Sequence, residues 1–161
     1  MIICLIYAMN YFILMELDFV VSSPLTLQHS MKISDLCQDI VSAEKRVHAV
    51  VAINKFGRVI EMNLQSNRKL SSLIDLTQKE QEILCMQSIL QKTLLGEFDT
   101  QFGISRYMLV EREKLVEFVF PFCKGVILVL CKSRANTKLL SGKLSKMIND
   151  FALESEAESL K

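Results

Sequence analysis

The sequence has few of the residues that linkers, metal sites and secreted scaffolds require. Its 161 residues include five glycines, two prolines, two histidines and no tryptophan. So little glycine and proline excludes collagen-like and linker-like chains. The two histidines, His29 and His48, are too few for a convincing histidine-based metal site or catalytic triad. Half of the residues are hydrophobic, which is enough for the core of one domain of ordinary size.

The cysteines form no recognisable pairing pattern. The chain has five widely spread cysteines, and none of them belongs to a C-x-x-C pair: Cys4, Cys37, Cys85, Cys123 and Cys131. A disulfide scaffold or a zinc module needs paired and closely spaced cysteines. We therefore expect small buried hydrophobic side chains in a reducing, cytoplasmic environment.

Chemistry-bearing motifs are also absent. The sequence has no G-x-x-x-x-G-K-[ST], G-x-G-x-x-G, H-E-x-x-H or G-x-S-x-G pattern. Its 19 basic and 18 acidic residues give a net charge of +1, too little for a polybasic nucleic-acid binder. We expect no catalytic residue, no metal, no cofactor and no nucleic-acid partner.

Residues 1–30 differ from the rest of the chain because they contain no lysine or arginine. The run from Ile2 to Met15 is almost wholly apolar and is followed by Glu16 and Asp18. It is shorter than the roughly 20 residues that a membrane span needs. Three interpretations stay open: an artefact of start-codon choice, with Met31 as the natural beginning; an extension that docks on the domain or on a partner; or a membrane anchor. Only the last one implies a membrane partner.

The first half of the domain predicts a helix and a hairpin. Ser34 is placed to cap a helix, and Leu36, Cys37, Ile40 and Val41 recur at helical spacing after it. Two strands follow, residues 48–53 and 59–64, joined by a turn over residues 54–57. The alternation in the second strand predicts Ile60, Met62 and Leu64 on one face.

A second helix is predicted from Gln78 to about Leu95. Thr77 and Glu80 have the spacing of a capping box, and Gly96 is a natural stop. The apolar residues of this helix cover more than one narrow stripe. Such a wide apolar surface indicates that the helix buries a second face against another surface.

Three strands and a last helix complete the pattern. The strands are predicted over 103–110, 115–120 (ended by Pro121) and 126–130. Asn136 or Thr137 then caps the last helix, and the acidic residues 153–161 are expected to fray. The order α-β-β-α-β-β-β-α predicts a profilin-like α+β domain over residues 31–152, with one five-stranded antiparallel or mixed sheet and three helices.

This order resembles the roadblock family, also called the dynein light chain roadblock type. The resemblance rests on the opening helix around Leu36–Val41, the hairpin with Gly57 and the amphipathic 78–95 helix, followed by the three strands. It is a resemblance of topology and patterning over residues 32–152. It implies a non-catalytic scaffold or regulator that pairs with itself or a related subunit, and that acts in several members on small Ras-like GTPases.

The resemblance also implies where the chain would dimerise. Roadblock proteins typically pair through the long middle helix and the adjacent edge strand. Carried over to this sequence, this dimer interface, which we call the seam, would contain the following residues: Ile83, Met86, Ile89, Leu90, Ser105, Tyr107 and Leu109. An alternative stays open at this point, in which the helix residues simply cover their own sheet.

A different class of function also fits the element order. The domain could be a small-ligand sensor of PAS or GAF type. Its ligand would then lie between the sheet and the helices, near Phe118 and Cys131.

Overall fold

A computed structural model describes residues 24–65, 76–133 and 135–159. By its contacts the chain divides into the units Met1–Met31 and Lys32–Lys161, and the sheet belongs to the second. The apolar run Ile2–Met15 and the basic pair Arg68 and Lys69 lie outside the described residues. Within the described ranges, no helix is both long and apolar enough to cross a membrane.

Five strands form one antiparallel sheet in the order β2-β1-β5-β4-β3. The strands are β1 (Val47–Ile53), β2 (Val59–Leu64), β3 (Met108–Glu111), β4 (Leu115–Phe122) and β5 (Gly125–Lys132). Every neighbouring pair is antiparallel, so of the two predicted arrangements the antiparallel one is correct. The α+β, profilin-like fold class is confirmed.

Four helices occur among the described residues, one more than predicted. They are α1 (Pro24–Ala43), α2 (Gln78–Gly96), α3 (Asp99–Phe102) and α4 (Thr137–Ser159). The additional helix, α3, is a single turn that ends where the amide of Gly103 donates to the Asp99 carbonyl, 3.0 Å away. Gly103 has φ +84°, a conformation that glycine adopts without steric cost.

Helices pack against both faces of the sheet. One face packs against α1 and α4, around Ile40, Phe118 and Leu144. The other packs against α2 around Cys85, and includes Val51 and Leu128. The strands β1 and β5 lie inside the sheet and are buried on both faces, with the exception of residues near their ends. This double burial explains why their sequences are continuously apolar instead of alternating.

The helix boundaries differ from the prediction at both ends of the domain. Helix α1 begins at Pro24, so Ser34 lies inside it and does not cap it. Proline suits the first helical turn, and no glycine or proline interrupts the following residues. At the other end, α4 continues to Ser159, because alanine, leucine and glutamate are strong helix formers. Asn136 caps α4 by accepting from the Leu139 amide at 3.1 Å.

Strand β3 is shorter than predicted, and Pro121 explains why. The predicted strand over 103–110 is reduced to Met108–Glu111, while β4 continues through Pro121 to Phe122. Because β3 starts at Met108, opposite Val119, no strand lies beside Pro121 on that side. A proline has no N–H to donate, so an extension of β3 past this point would lack a ladder hydrogen bond.

A charged cluster joins the end of α1 to α4. Glu44 is only 9% exposed and accepts from the Arg46 guanidinium through both carboxylate oxygens, at 2.9 and 3.1 Å. The ammonium of Lys143 lies 3.6 Å from the same carboxylate. The hydrogen bond from Arg46 is the main reason that the pKa of Glu44 is lowered from 4.5 to about 2.

This lowered pKa predicts a specific acid sensitivity. A carboxyl with a lower pKa in the folded state stabilises the fold fully above its ordinary value of 4.5, and loses that contribution as the pH falls towards 2. Urea unfolding should be measured at several pH values between 4.5 and about 2. As the pH falls, the free energy of unfolding should decrease more steeply for the unmodified chain than for Glu44→Gln. The exposed Glu113→Gln serves as control and should follow the unmodified chain. Equal slopes for all three proteins would contradict this prediction.

Candidate dimer interface

Helix α2 begins at the predicted capping box. The hydroxyl of Thr77 accepts from the amide of Glu80 at 3.3 Å, and the Glu80 carboxylate accepts from the amide of Thr77 at 2.7 Å. Two amides that would otherwise lack helical partners are thus satisfied, which fixes the start of the helix.

One side of α2 packs on the sheet. Cys85 and Ser88 are buried there, and Leu84 and Ile89 are partly buried beside them. The Ser88 hydroxyl donates to the Leu84 carbonyl at 2.9 Å, so this buried polar group has a partner. Burial raises the pKa of the Cys85 thiol, which leaves it in the neutral form suited to a core.

The opposite side of α2 is apolar and exposed. Ile83, Met86, Leu90 and Leu94 are each between 54% and 58% exposed. They are three or four residues apart, so they form one continuous row along the helix. We call these four residues the outer stripe. Single exposed apolar residues are ordinary, but an aligned row of four on one helix is typical of a surface that is covered by a partner.

A close contact at the β1–β2 turn sets the position of α2. Gly57 has φ +75°, and a Cβ built on it would lie 2.1 Å from the Met86 sulfur. Asn54 shapes the turn by accepting from the amides of Phe56 and Arg58, at 2.9 and 3.0 Å. The turn thus brings a residue without a side chain against the helix, so α2 can lie close to it.

Strand β3 is one edge of the sheet, and its outer side has no strand beside it among the described residues. The amide of Arg112 donates to Leu115 at 2.8 Å, which closes the β3–β4 hairpin. Because antiparallel amides alternate in direction, the amides of Leu109 and Glu111 point away from β4. An edge of this kind can pair with a strand from another chain.

The predicted seam residues fall into three groups. Ile83, Met86 and Leu90 lie together on the outer stripe, whereas Ile89 packs on the sheet. Leu109 pairs with Phe118, and so it faces the α1 and α4 side of the sheet instead of α2. Ser105 and Tyr107 precede β3 and lie outside regular structure. The Tyr107 ring packs against Phe118 and Phe120, with centroids 6.1 and 5.5 Å apart.

Sequence reasoning missed several residues of this region. Leu94 completes the outer stripe. Its four-residue spacing from Leu90 is the feature of the sequence that places the two side chains on the same side of the helix. Beyond the helix, Phe98 and Phe102 expose stacked rings whose centroids are 6.0 Å apart. At the β3–β4 hairpin, Arg112 binds the buried carboxylate of Glu117. Only the three-dimensional fold brings that pair together.

The structure lends no support to the predicted ligand pocket near Phe118 and Cys131. Both side chains are fully buried in the packed core, because α1 and α4 cover that face of the sheet. An apolar groove of about 220 Å³ lies instead on the other face, beside Met62, Leu84 and Cys85. Among the described residues, no group of three or more histidine, cysteine, aspartate or glutamate side chains could hold a metal ion.

Comparisons by sequence find no relative. No family model matches the chain, and no curated protein matches it.

Solved structures give a different result. The fold is similar to a Roadblock/LC7 domain from Streptomyces avermitilis, with a TM-score of 0.56 at 14% identity over 80% of this chain and 98% of that one. It is similar to MglB of Myxococcus xanthus, with a TM-score of 0.62 at 17% identity over 86% and 96%. The gliding protein MglB of Thermus thermophilus gives 0.53 at 12% identity over 77% and 90%. At such low sequence identities, these structural similarities show a roadblock-type fold and no more. They lend no support to the PAS or GAF alternative.

Proposed function

We propose that this chain, whose fold is of the roadblock type, is a non-catalytic scaffold or regulatory module that works as a dimer. The outer stripe of α2 and the free edge of β3 form the seam, and a second copy of the same chain is the partner. The observation that carries the proposal is the outer stripe itself, four aligned apolar side chains of α2 that are each more than half exposed, although Met86 also lies close to Gly57 of the β1–β2 turn.

The seam is compatible with two-fold symmetry. In a symmetric dimer each surface meets its own copy, so a self-complementary apolar row and an antiparallel strand edge are both suitable elements. The outer stripe has no charged member, and two copies can therefore meet without burying an unpaired charge. Pairing of β3 with its copy would satisfy the outward amides of Leu109 and Glu111.

Hydrogen exchange tests this arrangement residue by residue. We expect the Leu109 amide to exchange slowly at high protein concentration and faster on dilution, because pairing protects it. The amide of Met62, which points outward from the β2 edge, is the matched control and should exchange fast throughout. Protection at Met62 instead of Leu109 would contradict a seam at β3.

The family resemblance further implies a small Ras-like GTPase as the partner of the assembled module. Candidate GTPases from the same genome, added in their GTP-bound form, should protect additional surface amides of the dimer in the same experiment. If no GTPase changes the exchange of any amide, this part of the proposal fails while the seam stands.

A further inference from the structure

A second surface lies on the side of the sheet opposite α2. A cleft of about 710 Å³, open on one side, runs between α4, residues 104–107 and the end of β4. Its size is within the range of small-molecule sites. The outer stripe of α2 lies on the other face of the sheet and supplies no residue to the cleft.

The charge of this cleft has one sign. Arg106 and Lys138 are its charged lining residues, and no described lining residue is acidic. Neither cationic group has an ion-pair or hydrogen-bond partner among the residues that the structure describes. Lys138 also lies in the first turn of α4, where the helix dipole favours an anion.

The walls of the cleft combine aromatic surface with hydrogen-bonding groups. Tyr107 supplies a partly exposed ring, which packs on the buried Phe120 ring with the two centroids 5.5 Å apart. Ser105, Ser145 and Asn149 supply side chains that can donate hydrogen bonds. Apolar walls with a small number of polar groups are the usual composition of a site for a small organic molecule.

Gly142 keeps the cleft open along α4. A Cβ built on it would meet no atom within 4 Å, so packing does not require a glycine there. Glycine inside a helix costs about 1 kcal/mol relative to alanine. A larger side chain at this position would enter the open space of the cleft. The glycine therefore keeps the cleft accessible, in spite of its cost to helix stability.

We propose that the cleft binds a small phosphate monoester with a flat apolar body. Arg106 and Lys138 hold the phosphate by charge-assisted hydrogen bonds, and the body lies against the Tyr107 ring. One chain contains the whole cleft, so the proposal does not depend on dimerisation.

Phenyl phosphate is the probe, with inorganic phosphate and phenol as its separate parts. Two-dimensional NMR of the full chain should give a dissociation constant on the order of 1 mM for phenyl phosphate, with shifts centred on Arg106, Ser141 and Ser145. Each part alone should bind more weakly. Inorganic phosphate binding as tightly as phenyl phosphate would contradict the role of the aromatic wall, and the absence of saturable shifts would overturn the proposal.

Variants locate the site. Arg106→Gln and Lys138→Gln should each weaken binding about tenfold, and Gly142→Phe should abolish it by filling the cleft. Lys146→Gln removes the same charge from α4 outside the lining and should bind as the unmodified chain does. Gly142→Ala, measured by thermal unfolding, shows that this position accepts a side chain. Equal weakening by Lys146→Gln and Lys138→Gln would mean nonspecific attraction and would overturn the proposal.

Discussion

Replacing Leu90 with aspartate is expected to leave the chain folded and to make it monomeric. Leu90 is 58% exposed in the single chain and lies within the outer stripe, so its loss removes little from the core of one subunit. In a symmetric dimer the change enters the seam twice and places two unpaired carboxylates in an apolar contact.

The expected effect on association is large. Central apolar residues of an interface contribute about 2 kcal/mol or more each, so two copies lose at least about 4 kcal/mol, or roughly a thousandfold in Kd. Sedimentation velocity measures the mass and circular dichroism the folding. The matched control is Leu139→Asp, since Leu139 is 64% exposed on α4 and lies outside both the seam and the cleft. Equal masses for the two variants would contradict a seam at α2.

Replacing Gly125 with alanine is expected to have the largest effect on the fold itself. A Cβ at this position would lie 1.9 Å from the carbonyl oxygen of Ile53 and 3.0 Å from the Asn54 Cα. Both atoms are backbone at the end of β1, so neither can rotate away as a side chain would. Either β5 must separate from β1 there, or the turn before Gly125 must shift.

Overpacking of this kind typically costs 1–3 kcal/mol, and a clash with backbone places Gly125→Ala near about 3 kcal/mol. The control is Gly142→Ala, where the added Cβ meets nothing and the higher helix propensity of alanine should stabilise by up to about 1 kcal/mol. Urea unfolding at one protein concentration measures both. A Gly125→Ala variant as stable as the unmodified chain would show that β1 and β5 do not approach as closely as described.

The parts of the fold that sequence reasoning predicted are those that local chemistry determines. Thr77 and Glu80 fix the start of α2 through their own side chains, and the Asn54–Gly57 turn fixes the first hairpin. The continuous apolar run of β5 predicted a strand buried on both faces. Each of these signals lies within a few residues along the chain.

The errors concern features that depend on distant residues. The late start of β3, at Met108 instead of residue 103, follows from Pro121, which lies in the neighbouring strand. The sequence of α2 predicts two apolar surfaces, but it does not say that Ile89 faces the sheet while Leu90 faces outward. The pairing of Arg112 with Glu117 needs the hairpin register. The start of α1 lies ten residues before Ser34, because the residues between Pro24 and Ser34 include the strong helix formers leucine, glutamine, methionine and lysine.

The most direct test of the central claim is the mass of the unmodified protein in solution. Sedimentation velocity at micromolar concentration should give about twice the 18.4 kDa of the chain, and should give that of one chain for Leu90→Asp. A mass of one chain for the unmodified protein at every concentration would contradict the proposal that the outer stripe is the seam of a homodimer.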